Sequence, residues 1–174
     1  MINNRYVLTA SHCVNGKNLP KYWKLSSVRL GEWKMTTEID CDSSYINEKM
    51  CNPNPSVDIP IEEIIPHENF NPHDQNLHND IALLRLAQHA PYSSYIRPIC
   101  LPVSETLQNY DLVSKTLTIA GWGATEHGSS SSIKLKANVD GISNADCQRV
   151  NKMGNRDIIE DQLCAGGEKG VDSW

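Results

Sequence analysis

Two side chains able to move or hold charge near neutral pH stand at the ends of apolar runs. His12 lies in LTASHC, directly after a strand-like segment and between small residues and Cys13. Asp80 opens DIALLRL, immediately ahead of an apolar stretch. Histidine is the side chain whose ordinary pKa falls between the acids and the bases, so it can take up and return a proton in neutral solution. Each residue also has a plain structural reading. A histidine hydrogen-bonds within many folds, and an acid ahead of a strand commonly caps a turn. The other histidines compete weakly for chemistry: His67, His73 and His78 lie in polar loops without metal-ligand spacing, and His89 and His127 flank Pro- and Ser-rich segments. All five read as solvated loop residues.

The elements that would position these groups are short. RYVLTA (5–10), SSVRL (26–30), DIPIEEII (58–65), IALLRL (81–86) and LTIAGW (117–122) read as β-runs. In IKLKANVDG, Ile133, Leu135, Ala137 and Val139 alternate with polar residues, the pattern of a half-buried strand. SNADCQRV (143–150) alone reads as a helix, with Ser143 or Asn144 as its N-cap. Turn-rich segments at 51–56, 68–76 and 127–132 separate the strands, as in an all-β barrel or sandwich. Patterning pauses from Arg97 to about Lys115, through RPICLP, which marks the divider between two halves; no fixed-period repeat is present.

Composition narrows the function classes. A 174-residue chain suggests one or at most two compact domains, and 39% hydrophobic against 21% charged residues permits a packed core. Net charge is −5 and no basic cluster stands out, so nucleic-acid or anionic-membrane binding is not expected. No apolar run approaches transmembrane length. Six cysteines without a C-x-x-C pair argue for disulfides in an oxidising compartment rather than a zinc module. The start, MINNRYVLTA, lacks the features of a signal peptide, so the true N-terminus is expected upstream. No N-x-Ser/Thr sequon occurs, and no N-glycan is expected.

Five motifs in one order carry a resemblance across essentially the whole chain: TASHC, NDIALLRL, IRPICLP, AGWG and CAGG. Together they resemble the chymotrypsin-like serine proteases of trypsin type. VRLGEW, the Cys41–Cys51 loop and DIPIEEIIPHENFNP further resemble the arthropod clip-domain group, related to Easter and the prophenoloxidase activators. The resemblance implies an all-β fold of two six-stranded antiparallel barrels, both incomplete here: an N-terminal barrel over residues 1–102 and a C-terminal barrel over residues 103–174.

It also implies roles. A serine hydroxyl is a weak nucleophile and needs an adjacent base. By resemblance His12 is that base and Asp80 holds its ring in the correct tautomer. Asp172, in CAGGEKGVDSW, would floor the S1 pocket and select Arg or Lys at the cleaved position through a charge-assisted pair. The motif GDSGGP is absent, so nucleophile and oxyanion hole are expected beyond residue 174. The chain alone is expected to be inactive and poorly folded.

Among the cysteines, the resemblance pairs Cys147 with Cys164 and Cys41 with Cys51. It sends Cys13 and Cys100 to partners outside the chain; composition alone leaves fifteen pairings open. No cofactor is required, but a structural calcium ion is implied on Glu32 and Asp40 by carboxylate and on Lys34 and Thr37 by carbonyl.

The implied protein is a secreted zymogen with an upstream clip domain. It would cut zymogens or precursors in an immune or developmental cascade and be regulated by a serpin. A rival from another class is a non-catalytic protease homologue acting as a binding cofactor, which the residue at the nucleophile position would distinguish. A disulfide-stapled adhesion module is more distant and would pair all six cysteines internally.

Overall fold

Residues 1–17, 19–42, 50–51, 56–125, 128–151 and 156–166 are described by the computed structural model. They fall into two units: Met1–Glu32 with Thr37–Pro102, and Trp33–Thr36 with Val103–Trp174.

In the first unit the β-branched and leucine-rich runs pair antiparallel. β1 (Tyr6–Thr9) is followed by a single helical turn, α1 (His12–Asn15), then β2 (Ser27–Leu30). β3 (Cys41–Asp42) and β4 (Met50–Cys51) form a separate ladder, and β5 (Val57–Pro66) and β6 (Ala82–Leu86) complete the unit. The main sheet runs β1-β6-β5-β2. β5 is shared along its length: Val57–Pro60 pair with β2, and Ile61–Pro66 pair with β6. A register shift between Ile61 and Glu63 bends it where it changes partner. Such a bulge sharpens the local twist and lets one strand belong to two sheet segments, as a curled sheet requires.

β6 alternates strictly, with Ala82, Leu84 and Leu86 buried. Ile59, Leu86 and Ala90 form the core, with Met1, Val7, Val28, Leu30 and Val57 packed against it. Fully burying one such aliphatic side chain is worth roughly 1.5–3 kcal/mol, so this small cluster is the main anchor of the unit. At the end of β2, Gly31 takes a left-handed backbone (φ 77°) beside the Ile96 side chain. There a Cβ would be strained.

The second unit contains α2 (Glu105–Gln108), β7 (Thr116–Gly121), β8 (Leu135–Ile142), α3 (Asn144–Asn151) and β9 (Cys164–Gly166). Its sheet runs β7-β8-β9. Along β8, Ala137, Val139 and Gly141 face inward, so the alternation the sequence shows holds from Ala137 on, while Leu135 departs from it and is exposed. Gly141 is required by close approach: a Cβ there would lie 2.0 Å from the Leu112 carbonyl oxygen. Ser143 accepts from the Asp146 N–H at 3.1 Å, capping α3 as the sequence suggests. Cys147 of α3 is disulfide-bonded to Cys164 of β9, with Cα atoms 6.2 Å apart. Trp33–Thr36 join this unit through backbone bonds to residues 132–134: Met35 N–H to the Ser132 carbonyl at 2.9 Å and Lys134 N–H to the Trp33 carbonyl at 2.8 Å.

Candidate active site

The register of β1 on β6 dictates what meets beyond the ladder. Thr9 lies opposite Ala82, the last pair of an antiparallel run that begins with Tyr6 opposite Arg85. Continued past its end, that register carries Ala10–His12 alongside Asp80 and Ile81. The sheet therefore brings together two residues separated by 68 positions.

Ser11 fixes the junction. Its side chain is fully buried, and its hydroxyl donates to the Ile81 carbonyl at 2.6 Å. The His67 N–H, which donates to the same carbonyl at 3.0 Å, also reaches the Ser11 oxygen at 3.4 Å. Sequence reasoning passed over Ser11; the signal available was a small polar residue between an apolar run and the histidine. The turn of α1 then closes through Val14 and Asn15 N–H bonds to the Ser11 carbonyl, at 3.0 and 2.7 Å.

Asp80 holds His12 at two points. One carboxylate oxygen, Oδ1, accepts the His12 backbone N–H at 2.7 Å. The other, Oδ2, lies 2.7 Å from His12 Nδ1. An ionised carboxylate only accepts, so Nδ1 donates to it, and in the neutral ring Nε2 is the nitrogen that keeps its lone pair. The ring side is 54% exposed and the carboxylate 19%, so the imidazole opens to solvent while its partner is sheltered. Cys13 Sγ lies 3.5 Å from Nε2.

The segment leading to Asp80 is shaped by Asp74. Asp74 accepts the Asn76 N–H at 2.9 Å and the His78 N–H at 3.5 Å, and its Oδ2 lies 3.3 Å from His78 Nδ1. The Asn76 backbone bond, above all, holds the Asp74 carboxyl below its usual range. A lowered folded-state pKa contributes stability above the usual carboxylate value of about 3.9 and loses it as pH falls through the folded value. Leu77 and Asn79 both have left-handed backbones, φ 53° and 58°. Asparagine tolerates that region, whereas leucine is strained there. His78 is thus no freely solvated loop residue, in contrast to the sequence reading; it is a partly sheltered partner of Asp74.

Of the remaining sequence-assigned residues, Asp172 lies outside the described residues. Cys13 and Cys100 are free and exposed. Cys41 is disulfide-bonded and has Cys51 as its register partner across β3 and β4. Glu32, Thr37 and Asp40 belong to the first unit and Lys34 to the second. The Glu32 side chain is 8% exposed, with Arg29 Nη1 3.7 Å away, and Asp40 Oδ1 accepts from the Thr37 hydroxyl at 2.9 Å. No helix among the described residues is long and apolar enough to cross a membrane.

An imidazole on a half-exposed ring, held through Nδ1 by a sheltered carboxylate, is the arrangement that activates a hydroxyl nucleophile. The family model for trypsin matches residues 1–173 of the chain. The chain belongs to the trypsin family. Within that family it is 49% identical over 175 residues to Serine protease ea of Drosophila melanogaster, covering 99% of this chain and 44% of that protein. It is 45% identical over 173 residues to the CLIP domain-containing serine protease HP8 of Bombyx mori, covering 99% and 45%. The crystal structure of the Drosophila Grass clip serine protease of the Toll pathway matches with a TM-score of 0.78 at 39% identity, over 96% of this chain and 44% of that one. The chain therefore spans less than half the length of these relatives. Its fold class is the trypsin-like, all-β one, with the antiparallel barrels represented in part, and its family is one of serine-type endopeptidases.

Proposed function

We propose that this chain carries the base and the orienting acid of a trypsin-like serine endopeptidase that cuts polypeptides after Arg or Lys. The observation that supports this reading is the double grip of Asp80 on His12, 2.7 Å to the backbone N–H and 2.7 Å to Nδ1. His12 takes the proton from a serine supplied by the intact protease as that oxygen attacks the scissile carbonyl. It then returns the proton to the leaving amine. Asp80 keeps Nδ1 protonated and stabilises the imidazolium formed between the two steps. Asp172 is assigned to the S1 floor, where its carboxylate would pair with the basic side chain of the substrate.

Similarity to clip-domain proteases supports a place in an extracellular zymogen cascade, with protein precursors as substrates, a serpin as regulator and a clip domain upstream. The decisive experiment is hydrolysis of an arginyl chromogenic peptide by the intact, activated protein. Turnover that His12→Ala reduces to background is the expected result. A folded intact protein that binds its cascade partners without turnover would establish the non-catalytic homologue instead.

A calcium ion forms part of the same reading. Glu32 and Asp40 would bind by carboxylate, and Lys34 and Thr37 by carbonyl, an all-oxygen set suited to a hard cation. Glu32 fits such a role, being a nearly buried carboxylate whose nearest cationic atom is 3.7 Å away. The ion would supply charge neutralisation and pin the loop after β2. Calcium should raise the thermal midpoint of the intact protein, and Asp40→Ala should abolish the rise; an unchanged midpoint in calcium and in chelator would remove the site.

A further inference from the structure

Charge along the chain is unevenly distributed. The first 31 residues contain five basic side chains and no acidic one, so residues 32–174 hold 11 basic against all 21 acidic residues. Two of the five are neutralised: Arg5 pairs with Glu62 at 2.7 Å, and Arg29 pairs with Asp58 at 2.7 Å. The other three, Lys17, Lys21 and Lys24, are exposed and form no ion pair among the described residues.

Between the last two lysines stand Tyr22 and Trp23, exposed by 96% and 76%, the two most exposed aromatic side chains described. Large aromatics left this open are more often contact surface than core. The backbone beneath them is ordered by short-range bonds. Leu19 N–H donates to the Gly16 carbonyl at 3.1 Å, and Trp23 N–H donates to the Pro20 carbonyl at 2.8 Å. Gly16 itself packs against the His12 carbonyl, where a Cβ would lie 2.3 Å away. The aromatic pair is thus carried on a turn stitched, step by step, to the helical turn that bears the base.

We propose that the turn formed by Pro20–Lys24 is a docking surface for an acidic segment of the polypeptide substrate. Lys21 and Lys24 would meet its carboxylates, and Tyr22 and Trp23 its apolar side chains. This rests on the proteolytic reading of His12 and Asp80. Charge complementarity selects the occupant: Lys21 and Lys24, without ion pairs among the described residues, flank Tyr22 and Trp23 in an acid-free stretch of a chain that is otherwise strongly acidic. The excess of ten acidic over basic residues in residues 32–174 repels an extended anionic surface such as a membrane, whereas a short acidic segment carries too little charge to be excluded by it. Tyrosine and tryptophan are among the residue types enriched where interfaces concentrate their binding energy, and the flanking lysines add a charge that selects the partner.

The test uses the intact protein and two peptides with a single arginine, one flanked by Asp, Glu and Phe and the other by Asn, Gln and Phe. Binding is read by tryptophan fluorescence with the His12→Ala variant, which leaves the peptides uncut, and cleavage is read as the ratio of the two kcat/KM values in the unmodified protein. Two or three exposed ion pairs set the expected preference for the acidic peptide at about tenfold in both readouts. Raising ionic strength from low to molar salt should erase it. Lys21→Glu with Lys24→Glu should bring the ratio to one or invert it, and Trp23→Ala should weaken binding of both peptides. Because the readout is a ratio, a general loss of activity in a variant cancels. Equal binding of the two peptides, or a preference untouched by the lysine changes, overturns the proposal. So does tighter lysine-dependent binding to phosphatidylserine vesicles than to the acidic peptide. Lysine-dependent peptide binding without any turnover would retain the docking surface and reject the proteolytic reading; turnover without preference would do the reverse.

Discussion

Replacing Asp80 by asparagine should lower kcat of the intact protease by about 10⁴-fold while changing KM for an arginyl substrate only a few-fold. That scale is the one known for the same exchange in trypsin, the family's worked case, and is borrowed from it. The geometry here explains the direction. Asp80 accepts two N–H groups of the same residue, the His12 backbone at Oδ1 and the ring at Oδ2. An asparagine of the same shape has one oxygen for two donors. With that oxygen on the backbone N–H, its amide NH₂ faces Nδ1 and requires a lone pair there. The proton then moves to Nε2, and the nitrogen that must accept the serine proton no longer can. Asp80→Ala should be as inactive and also less stable, because it strands the His12 backbone donor. Steady-state kinetics and a thermal melt on the two variants separate the effects. Equal kcat for Asp80→Asn and the unmodified protease would remove Asp80 from the mechanism.

The positions of His12 and Asp80 were readable because both stand at the ends of strands whose apolar runs are unambiguous. β1 and β6 coincide with RYVLTA and IALLRL to within a residue or two, and it is their register that closes the site. The devices that hold the pair in place were not readable. Ser11 acts through a carbonyl 70 positions away, and Asp74 acts through backbone N–H groups of its own loop. Such bonds depend on tertiary approach or on unusual φ values, which leave no periodic trace. Single-turn α1 and three-residue β9 are likewise too short to show a repeat. The bend in β5 was hidden because DIPIEEII satisfies both of its partners in turn. Membership of Trp33–Thr36 in the second unit is carried by backbone bonds to residues 132–134 and by the Trp122 indole N–H donating to the Trp33 carbonyl, and composition is blind to those. Charge told a related story: a net balance of −5 concealed an acid-free first stretch.

Truncating Leu86 to alanine should be the costliest single change to the first unit, at about 2–5 kcal/mol of unfolding free energy. Leu86 is fully buried, as is Ile59, and with Ala90 the two make up the small core. A core with so few members closes poorly over a cavity of that size, since Ile59, Val7, Val28, Leu30 and Val57 around it are already held in ladders. Arg5 donates no side chain here, yet its carbonyl accepts the Leu86 N–H at 2.9 Å, so β1 and β6 are clamped at this end by the same residue. Loosening it should therefore reach the opposite end of the ladder, where Thr9 faces Ala82 and His12 meets Asp80. Leu8→Ala is the control, because Leu8 sits in the same ladder but is 41% exposed. Its cost should stay near or below 1 kcal/mol, the range of a partly solvated aliphatic truncation. Urea melts of the intact protein give both free energies, and amide exchange at Thr9 and Ala82 reports the ladder. Faster exchange there in Leu86→Ala but not in Leu8→Ala would show that the His12–Asp80 pair borrows its alignment from the core. Equal exchange in both would mean that Ser11 and its bond to Ile81 suffice to hold it.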